Sequence, residues 1–494
     1  MSGAYLALRT VIAIFLAAAV VYAIYEQDER ERSAALEPED NNNRYRAYLP
    51  PMLYPLFIGI LLLMILLFWQ VGGADVLTQA LAIGFEVFFA ATVYYALLLM
   101  LLPWLRRRIS ARLCAALWAL PNFLYLAHMD YMALDRPLAV VRLNERLLRP
   151  VLTVWAAGFF AVLAWKIGGH LVFRFSLLRH AEQIVDPHYT TLWREEQVRA
   201  GIKKANIPLL RSDTLTTPLS IGLFRPAVRL VLPARHYTPA QLRLIYRHEL
   251  VHIGREDSGT KFFMTLVAAL CWFNPLMWLA LRRSAEDLEL GCDETVLLDA
   301  DEATRRQYAD LLLSTAGNDR GFSTCLSASA KALRYRLKNV MNPTERHLGA
   351  WVSCMALLLL FLGFGQIAFA YEEVSPKEVL FSGLGAEEVD VDYFANFTGG
   401  IAFYDCADDA AVYDYLSSLE LHRITGNYKY PAVGDDKIIV TYNAGGTTSV
   451  TLTDHAVSVV YLYGRNRHQS ESFYCADEID FAFLRSLHVA RSEG

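Results

Sequence analysis

The sequence predicts a multi-pass α-helical membrane protein with an inserted α+β domain ahead of its last span and a small C-terminal α+β domain outside the membrane. Three observations predict this. The composition is too apolar for a soluble chain: 54% of the 494 residues are hydrophobic and the mean hydropathy is positive, as several spans plus folded segments require. Apolar runs of roughly 20 residues, enough to cross a bilayer, recur up to position 173 and again from 349. A polar segment containing His248-Glu249-Leu250-Val251-His252 separates these two groups, and after the last run the composition turns acidic and aromatic with alternating stretches. The net charge of -5 argues against nucleic acid as a direct partner.

Tyr5 to Tyr25 and Pro51 to Gln70 are the first two runs. The first resembles a signal-peptide core, but its leading residues are weakly basic and no A-x-A site follows, so a retained span is the preferred reading. Glu26 to Arg46 is charged and Asn-rich and reads as a flexible loop. Leu77 to Trp104, Leu113 to Ala127 and Pro150 to Phe173 follow, the middle one short and containing Pro121. Arg106, Arg107, Arg108 and Arg112 fill a very short connection, and short basic loops stay in the cytoplasm. The N-terminus is then outside, while Glu26 to Arg46 and Arg174 to His347 are inside. Gly349 to Ala370 is the final span, preceded by Arg334, Arg336, Lys338, Arg346 and His347, so Tyr371 to Gly494 is extracytoplasmic. Glu86 and Lys166 lie near span ends, where long side chains reach the interface. The predicted division is 1–75 (two extra spans and a charged loop), 76–174 (three spans), 175–348 (cytoplasmic domain), 349–371 (final span) and 372–494 (outer domain).

Within the cytoplasmic segment, Arg179 to Ala205 is helical in pattern, and Leu215 to Pro233 has the β-branched and apolar residues of short strands. A strand just before the His-bearing helix is a natural edge for an extended peptide to join, and Leu230→Pro is the change expected to break that ladder. Thr238-Pro239-Ala240-Gln241 reads as a helix start with a capping box and Pro at the first position, Leu242, Ile245 and Tyr246 supply its apolar face, and Gly254 is its expected C-cap. His248 and His252, four apart on one helical face, can both bind one zinc ion, and Glu249 stands beside it as general base.

A catalytic zinc takes a third protein ligand. Asn274-Pro275 opens a second helix that carries Glu286, Glu289 and Asp293 on one face. Glu289 is the preferred ligand, Glu286 the rival, and Asp293 suits a carboxylate that orients a ligating His. Phe262 to Leu281 is apolar enough to cross the bilayer, but a crossing would separate His248 from Glu289; the Asn274-Pro275 break instead allows two arms to fold back at the membrane, near 260–282, with the zinc close to the cytoplasmic leaflet.

These residues together resemble the BlaR/MecR-type membrane metallopeptidases. The likeness runs from about 78 to 371 and is carried by HELVH, Asp257, Trp272-Phe273-Asn274-Pro275, Glu289-Leu290-Gly291-Cys292-Asp293-Glu294 and Pro218 to Pro233. The resemblance implies zinc held by His248, His252 and Glu289, Glu249 as base, and a gluzincin-type peptidase domain in a bacterial inner membrane. It implies a cytoplasmic protein substrate such as a transcriptional repressor, and self-cleavage. Members often have Ala before the Cys where this chain has Gly291.

In the outer segment, alternating stretches at Lys437 to Tyr442, Ser449 to Thr453 and Val457 to Tyr463 predict an antiparallel sheet, the first two joined by the hairpin-type Asn443-Ala444-Gly445-Gly446. Phe403 to Asp408 and Phe473 to Asp477 resemble each other, each ending a strand before a helix. Cys114, Cys271, Cys292, Cys325 and Cys354 fall in spans or inside, where thiols stay reduced; Cys406 and Cys475 lie outside and are the expected disulfide. Family members commonly carry a penicillin-binding sensor here with Ser-x-x-Lys. None of Lys377, Lys429 and Lys437 has a Ser three residues before it, so β-lactam acylation is not expected and the signal is unassigned.

The prediction is a membrane zinc metalloendopeptidase that cleaves a cytoplasmic protein in response to an extracytoplasmic signal. Its rival is a non-catalytic receptor or scaffold with a structural zinc; a transporter would need paired broken helices, and only one break is evident.

Overall fold

The computed structural model describes residues 2–33, 44–47, 75–121, 139–143, 145–202, 207–223, 227–298, 300–315, 330–342, 349–363, 367–396, 402–424, 436–442, 447–453, 455–463 and 467–490. Helices α1 (Ser2–Ser33), α2 (Asp75–Arg108) and, after the short α3 (Ala111–Leu117), α4 (Glu145–Arg179) come first. Three of them hold stretches long and apolar enough to cross a bilayer, at Thr10–Arg32, Phe88–Arg108 and Thr153–Arg179. The predicted span at Pro51 to Gln70 lies outside the described residues, and the short one at Leu113 to Ala127 is described only to Pro121.

Two readings at the membrane boundary change. Glu26 to Ser33, expected as flexible loop, continues α1. Two of its acidic residues, Asp28 and Glu31, are buried because arginines from distant segments meet them: Arg112 Nη1 lies 2.8 Å from Glu31 and Nη2 2.7 Å from Asp28, and Arg255 Nη2 lies 3.2 Å from Glu31. The helix at the predicted final span, Gly349 to Ala370, is also shorter than the apolar run there. Helix α11 covers Ala350–Gly363, and strand β6 already begins at Ile367, since β-branched and aromatic residues there pair with other strands instead of extending the helix.

The inserted domain starts with β2 (Glu182–Gln183) and α5 (Pro187–Arg199), then β3 (Leu209–Ser212), β4 (Leu219–Ile221) and β5 (Arg229–Pro233). The sheet order is β2-β3-β5-β4, with β5 parallel to β3 and antiparallel to β4. Leu230 therefore sits on a central strand, and the edge beside it is β4. Helix α6 (Pro239–Arg255) follows and packs Leu242, Tyr246 and Leu250 with Trp193, Leu230 and Tyr308 in one apolar core.

Helices α7 (Asp257–Leu270) and α8 (Pro275–Val296) meet at a four-residue break. Phe263, Met264 and Met277 share a core with residues of α1, α2, α3 and α11 such as Ala13, Tyr95, Leu113 and Leu357, so this hairpin is inserted among the apolar helices. Its tip is tied down: Trp155 Nε1 donates to Leu270 O (2.7 Å), Trp272 Nε1 to Trp155 O (3.2 Å), and Asn274 Nδ2 to Thr92 Oγ1 (3.4 Å). Gly158 permits this approach, because a Cβ there would lie 2.2 Å from the Trp272 ring. Helices α9 (Glu302–Thr315) and α10 (Ala330–Met341) complete the domain.

After α11 the chain forms β6 (Ile367–Val374), α12 (Pro376–Phe381), β7 (Val389–Asn396), β8 (Ala402–Cys406), α13 (Asp409–Ser417), β9 (Leu421–Ile424), β10 (Asp436–Tyr442), β11 (Thr447–Thr453), β12 (Ala456–Tyr463), β13 (Arg467–Cys475), α14 (Phe481–Ser486) and β14 (His488–Ala490). These strands and β1 (Ala139–Arg142) make one sheet, ordered β1-β6-β9-β13-β12-β11-β10-β7-β8-β14. β1, which immediately precedes α4, pairs in parallel with β6, so the segment before α4 and the segment after α11 lie on one side of the molecule. The expected Cys406–Cys475 disulfide is not formed. Both are free thiols, on β8 and β13, five positions apart in the sheet order, and burial pushes their pKa values up to about 12 and about 11.

Candidate metal centre

Helix α6 begins as its residues dictate: Thr238 Oγ1 accepts from Gln241 N (3.3 Å), Gln241 Oε1 accepts from Thr238 N (3.0 Å), and Pro239 takes the first position. Its end differs from expectation. Gly254 is inside the helix, and Glu256 makes the cap in the left-handed conformation, φ 57°. This abrupt reversal swings Asp257 back under α6, where its Oδ2 lies 2.6 Å from His252 Nδ1.

The two imidazoles face each other through Nε2, 3.2 Å apart. Glu289, from α8, places Oε2 3.6 Å from His248 Nε2 and Oε1 3.6 Å from His252 Nε2. Glu249 is buried one residue past His248. Glu286 is not brought to this point: it pairs with Arg283 (2.7 Å) and Arg106 (3.4 Å). Asp293 lies 3.8 Å from His248 Nδ1 and binds instead Tyr308 Oη (2.7 Å) and Arg336, which grips it through Nε and Nη2 at 2.7 Å each. Tyr308 Oη is in turn 2.8 Å from His248 Nδ1. Cys292 Sγ lies 3.2 Å from that same nitrogen and donates to His248 O; His248, His252 and Cys292 form a second triplet of donor atoms within 4.8 Å of one another.

Asp257, Lys261, Tyr308 and Arg336 join the site without having been picked as functional from sequence. Lys261 Nζ lies 3.4 Å and Arg336 Nη1 3.2 Å from the Glu289 carboxylate. Asp257 was findable, five residues after His252 at the end of the motif's turn. Tyr308 and Arg336 carry no signal of spacing toward the motif.

Electrostatics match this crowding. Burial opposes a charge on His248, but Cys292 and Glu289 beside it prevail and raise its pKa to about 10. His252 is raised well above the usual imidazole range against the same burial, by Cys292, Glu289 and Asp257. Burial opposes ionisation of Glu289, yet His252, Lys261 and His248 hold it well below the usual carboxylate range. The two imidazoles and the Glu289 carboxylate thus hold one another in their charged forms.

Residues 128–340 match the family model described as BlaR1 peptidase M56. Across them the chain is similar to the BlaR/MecR-type M56 family. Over 153 residues it is 27% identical to the regulatory protein BlaR1 of Bacillus licheniformis, a stretch that takes in 30% of this chain and 25% of that protein. The chain thus spans about a quarter of the length of this M56 relative. The M56 motif's departure at Gly291 has a structural reason: α8 passes so close to α3 that a Cβ there would lie 3.2 Å from Arg112 Cα.

Proposed function

We propose that this chain is a membrane zinc metalloendopeptidase of gluzincin type, with zinc held by His248, His252 and Glu289 and Glu249 as its general base. The observation that carries the reading is the face-to-face Nε2 pair. Asp257 is an acceptor, so His252 Nδ1 carries the proton of the neutral ring and Nε2 its lone pair. With the rings deprotonated at Nε2, their lone pairs converge 3.2 Å apart, a spacing that a shared proton or a metal ion bridges. That spacing, with a carboxylate equidistant at 3.6 Å, suits ligands about 2.0–2.1 Å from one tetrahedral ion. Bound there, zinc supplies Lewis-acid polarisation of a peptide carbonyl and acidification of water. Glu249 takes the proton of the attacking water and returns it to the leaving amine. Lys261 and Arg336 balance the Glu289 carboxylate. An incoming peptide strand has its edge at β4, so Ser220→Pro, not Leu230→Pro, is the ladder-breaking change.

Orientation rests on the arginines of α2 and α3 inside, and on β1 and β6 sharing one sheet on the other side. The catalytic domain is then cytoplasmic and the sheet domain outer, where it serves as a sensor of unassigned signal. The substrate is a cytoplasmic protein, a repressor or the chain itself.

A second reading has one observation in its favour: Cys292 within reach of both histidines. A His/His/Cys set would suit a structural site in a non-catalytic receptor. Sγ lies on the Nδ1 side of His248, away from the Nε2 pair, which favours Glu289. The test is purified full-length protein in detergent, assayed for zinc and for cleavage of labelled casein. Glu249→Gln is expected to keep zinc and lose about 10²–10⁴-fold in turnover; a parent protein that holds no zinc overturns the proposal.

A further inference from the structure

We propose that Tyr308 is the positioning residue of His248, passing the grip of Asp293 and Arg336 to Nδ1 and so aiming Nε2 at the metal. This rests on the zinc-site reading above. Asp293 is held two-pronged by Arg336 at 2.7 Å on each oxygen, and a carboxylate in that grip only accepts. The single hydroxyl proton of Tyr308 therefore goes to Asp293 Oδ1 at 2.7 Å. Its oxygen is left to accept from His248 Nδ1 at 2.8 Å. Nδ1 carries the ring proton, and the lone pair lies on Nε2, facing His252 and Glu289.

The neighbours agree with this direction. Cys292 Sγ, which donates to His248 O at 3.3 Å, lies 3.2 Å from Nδ1 and offers its proton a second acceptor. The same guanidinium reaches the other end of the ligand set, 3.2 Å from Glu289 Oε2. One residue on α10, 47 positions past Glu289, thus steadies a histidine and a carboxylate from two other helices.

The ring of Tyr308 is also fully buried in the domain core, so the test must separate orientation from packing. Full-length Tyr308→Phe in detergent keeps the ring and removes the relay. Its zinc affinity, measured by competition with a chelator, is expected to fall about 10- to 100-fold, with an altered visible spectrum after cobalt substitution and an unchanged melting temperature of the metal-free protein. Asp293→Asn is the second variant: Arg336 claims the amide oxygen, the NH₂ turns to Tyr308, the hydroxyl proton turns to Nδ1, and the wrong nitrogen is protonated. It should weaken zinc and shift the cobalt spectrum likewise. Parent-like affinity in Tyr308→Phe, or a loss matched by a lower metal-free melting temperature, overturns the inference. Failure of the parent to bind zinc, or zinc retained by His248→Ala, defeats the site reading itself.

Discussion

His252 and His248 stand one turn apart on one helix, yet different lengths of chain hold them. His252 is braced by Asp257, five residues away, through a reversal that the helix end itself provides. His248 is braced by Tyr308, 60 residues on, itself tied to Asp293 and through it to Arg336 on two further helices. One half of the site is thus assembled by local geometry, and the other only once the domain core has closed around α9 and α10. Metal affinity should depend on both halves, folding of the site chiefly on the second.

The sharpest break would come from the ligand set. His252→Ala and Glu289→Ala are each expected to abolish stoichiometric zinc binding and peptide cleavage, while Cys292→Ala keeps both; elemental analysis of the purified protein decides. Zinc lost from Cys292→Ala and kept in Glu289→Ala would replace the open site by a closed one and shift the contrast away from Tyr308.

Next in size is the anchor beneath the local half. Arg255, three residues after His252, meets Glu31 at 3.2 Å, and Arg112 meets the same carboxylate at 2.8 Å, all nearly solvent-free. Removing one partner of such a buried group leaves charge uncompensated, at a cost of about 3–5 kcal/mol. Glu31→Ala should therefore lower the melting temperature of the metal-free protein markedly, whereas Glu31→Gln loses less. A parent-like melting curve for Glu31→Ala would show that α1 is not part of the support of α6.

How far the sequence discloses this site follows from the same contrast. His248, His252 and the Glu289 helix are legible because helical period and caps place them: four-residue spacing, a capping box, an Asn-Pro start. The Asn274-Pro275 break is legible as well, since Pro cannot continue the preceding helix. Glu31 is not, because its partners lie 81 and 224 residues away and a charged run without them resembles a solvated loop. Arg336 reads as one of several basic residues near a span, and only the fold reveals that it faces two carboxylates. The four-residue β1 is invisible between apolar runs, as its partner β6 is hidden in the tail of one. Pairing partners distant in sequence leave no period to read.

Asp257→Asn tests the local brace directly. An amide at that place weakens the acceptor for His252 Nδ1, and zinc affinity should fall about 10- to 100-fold, as for Tyr308→Phe. A smaller loss for Asp257→Asn than for Tyr308→Phe would reverse the expectation that a direct carboxylate supports a ring at least as well as a relayed one. Chelator competition at one fixed pH supplies both values.

The smallest effect concerns how that brace is reached. Glu256 holds φ 57° and ψ 39°, a left-handed conformation that costs a residue with a Cβ about 1–2 kcal/mol. Glycine escapes this strain but loses about 0.5–1 kcal/mol through its freer unfolded chain. Comparing Glu256→Gly with Glu256→Ala removes the side chain from both and leaves only the backbone difference. The glycine variant should be the more stable of the two by about 0.5–1 kcal/mol, with equal zinc affinity, as read by denaturant melts and chelator competition. If glycine instead weakens zinc binding relative to alanine, the strained turn is itself what holds Asp257 beneath His252, and the local half of the site depends on stiffness as much as on the carboxylate it delivers.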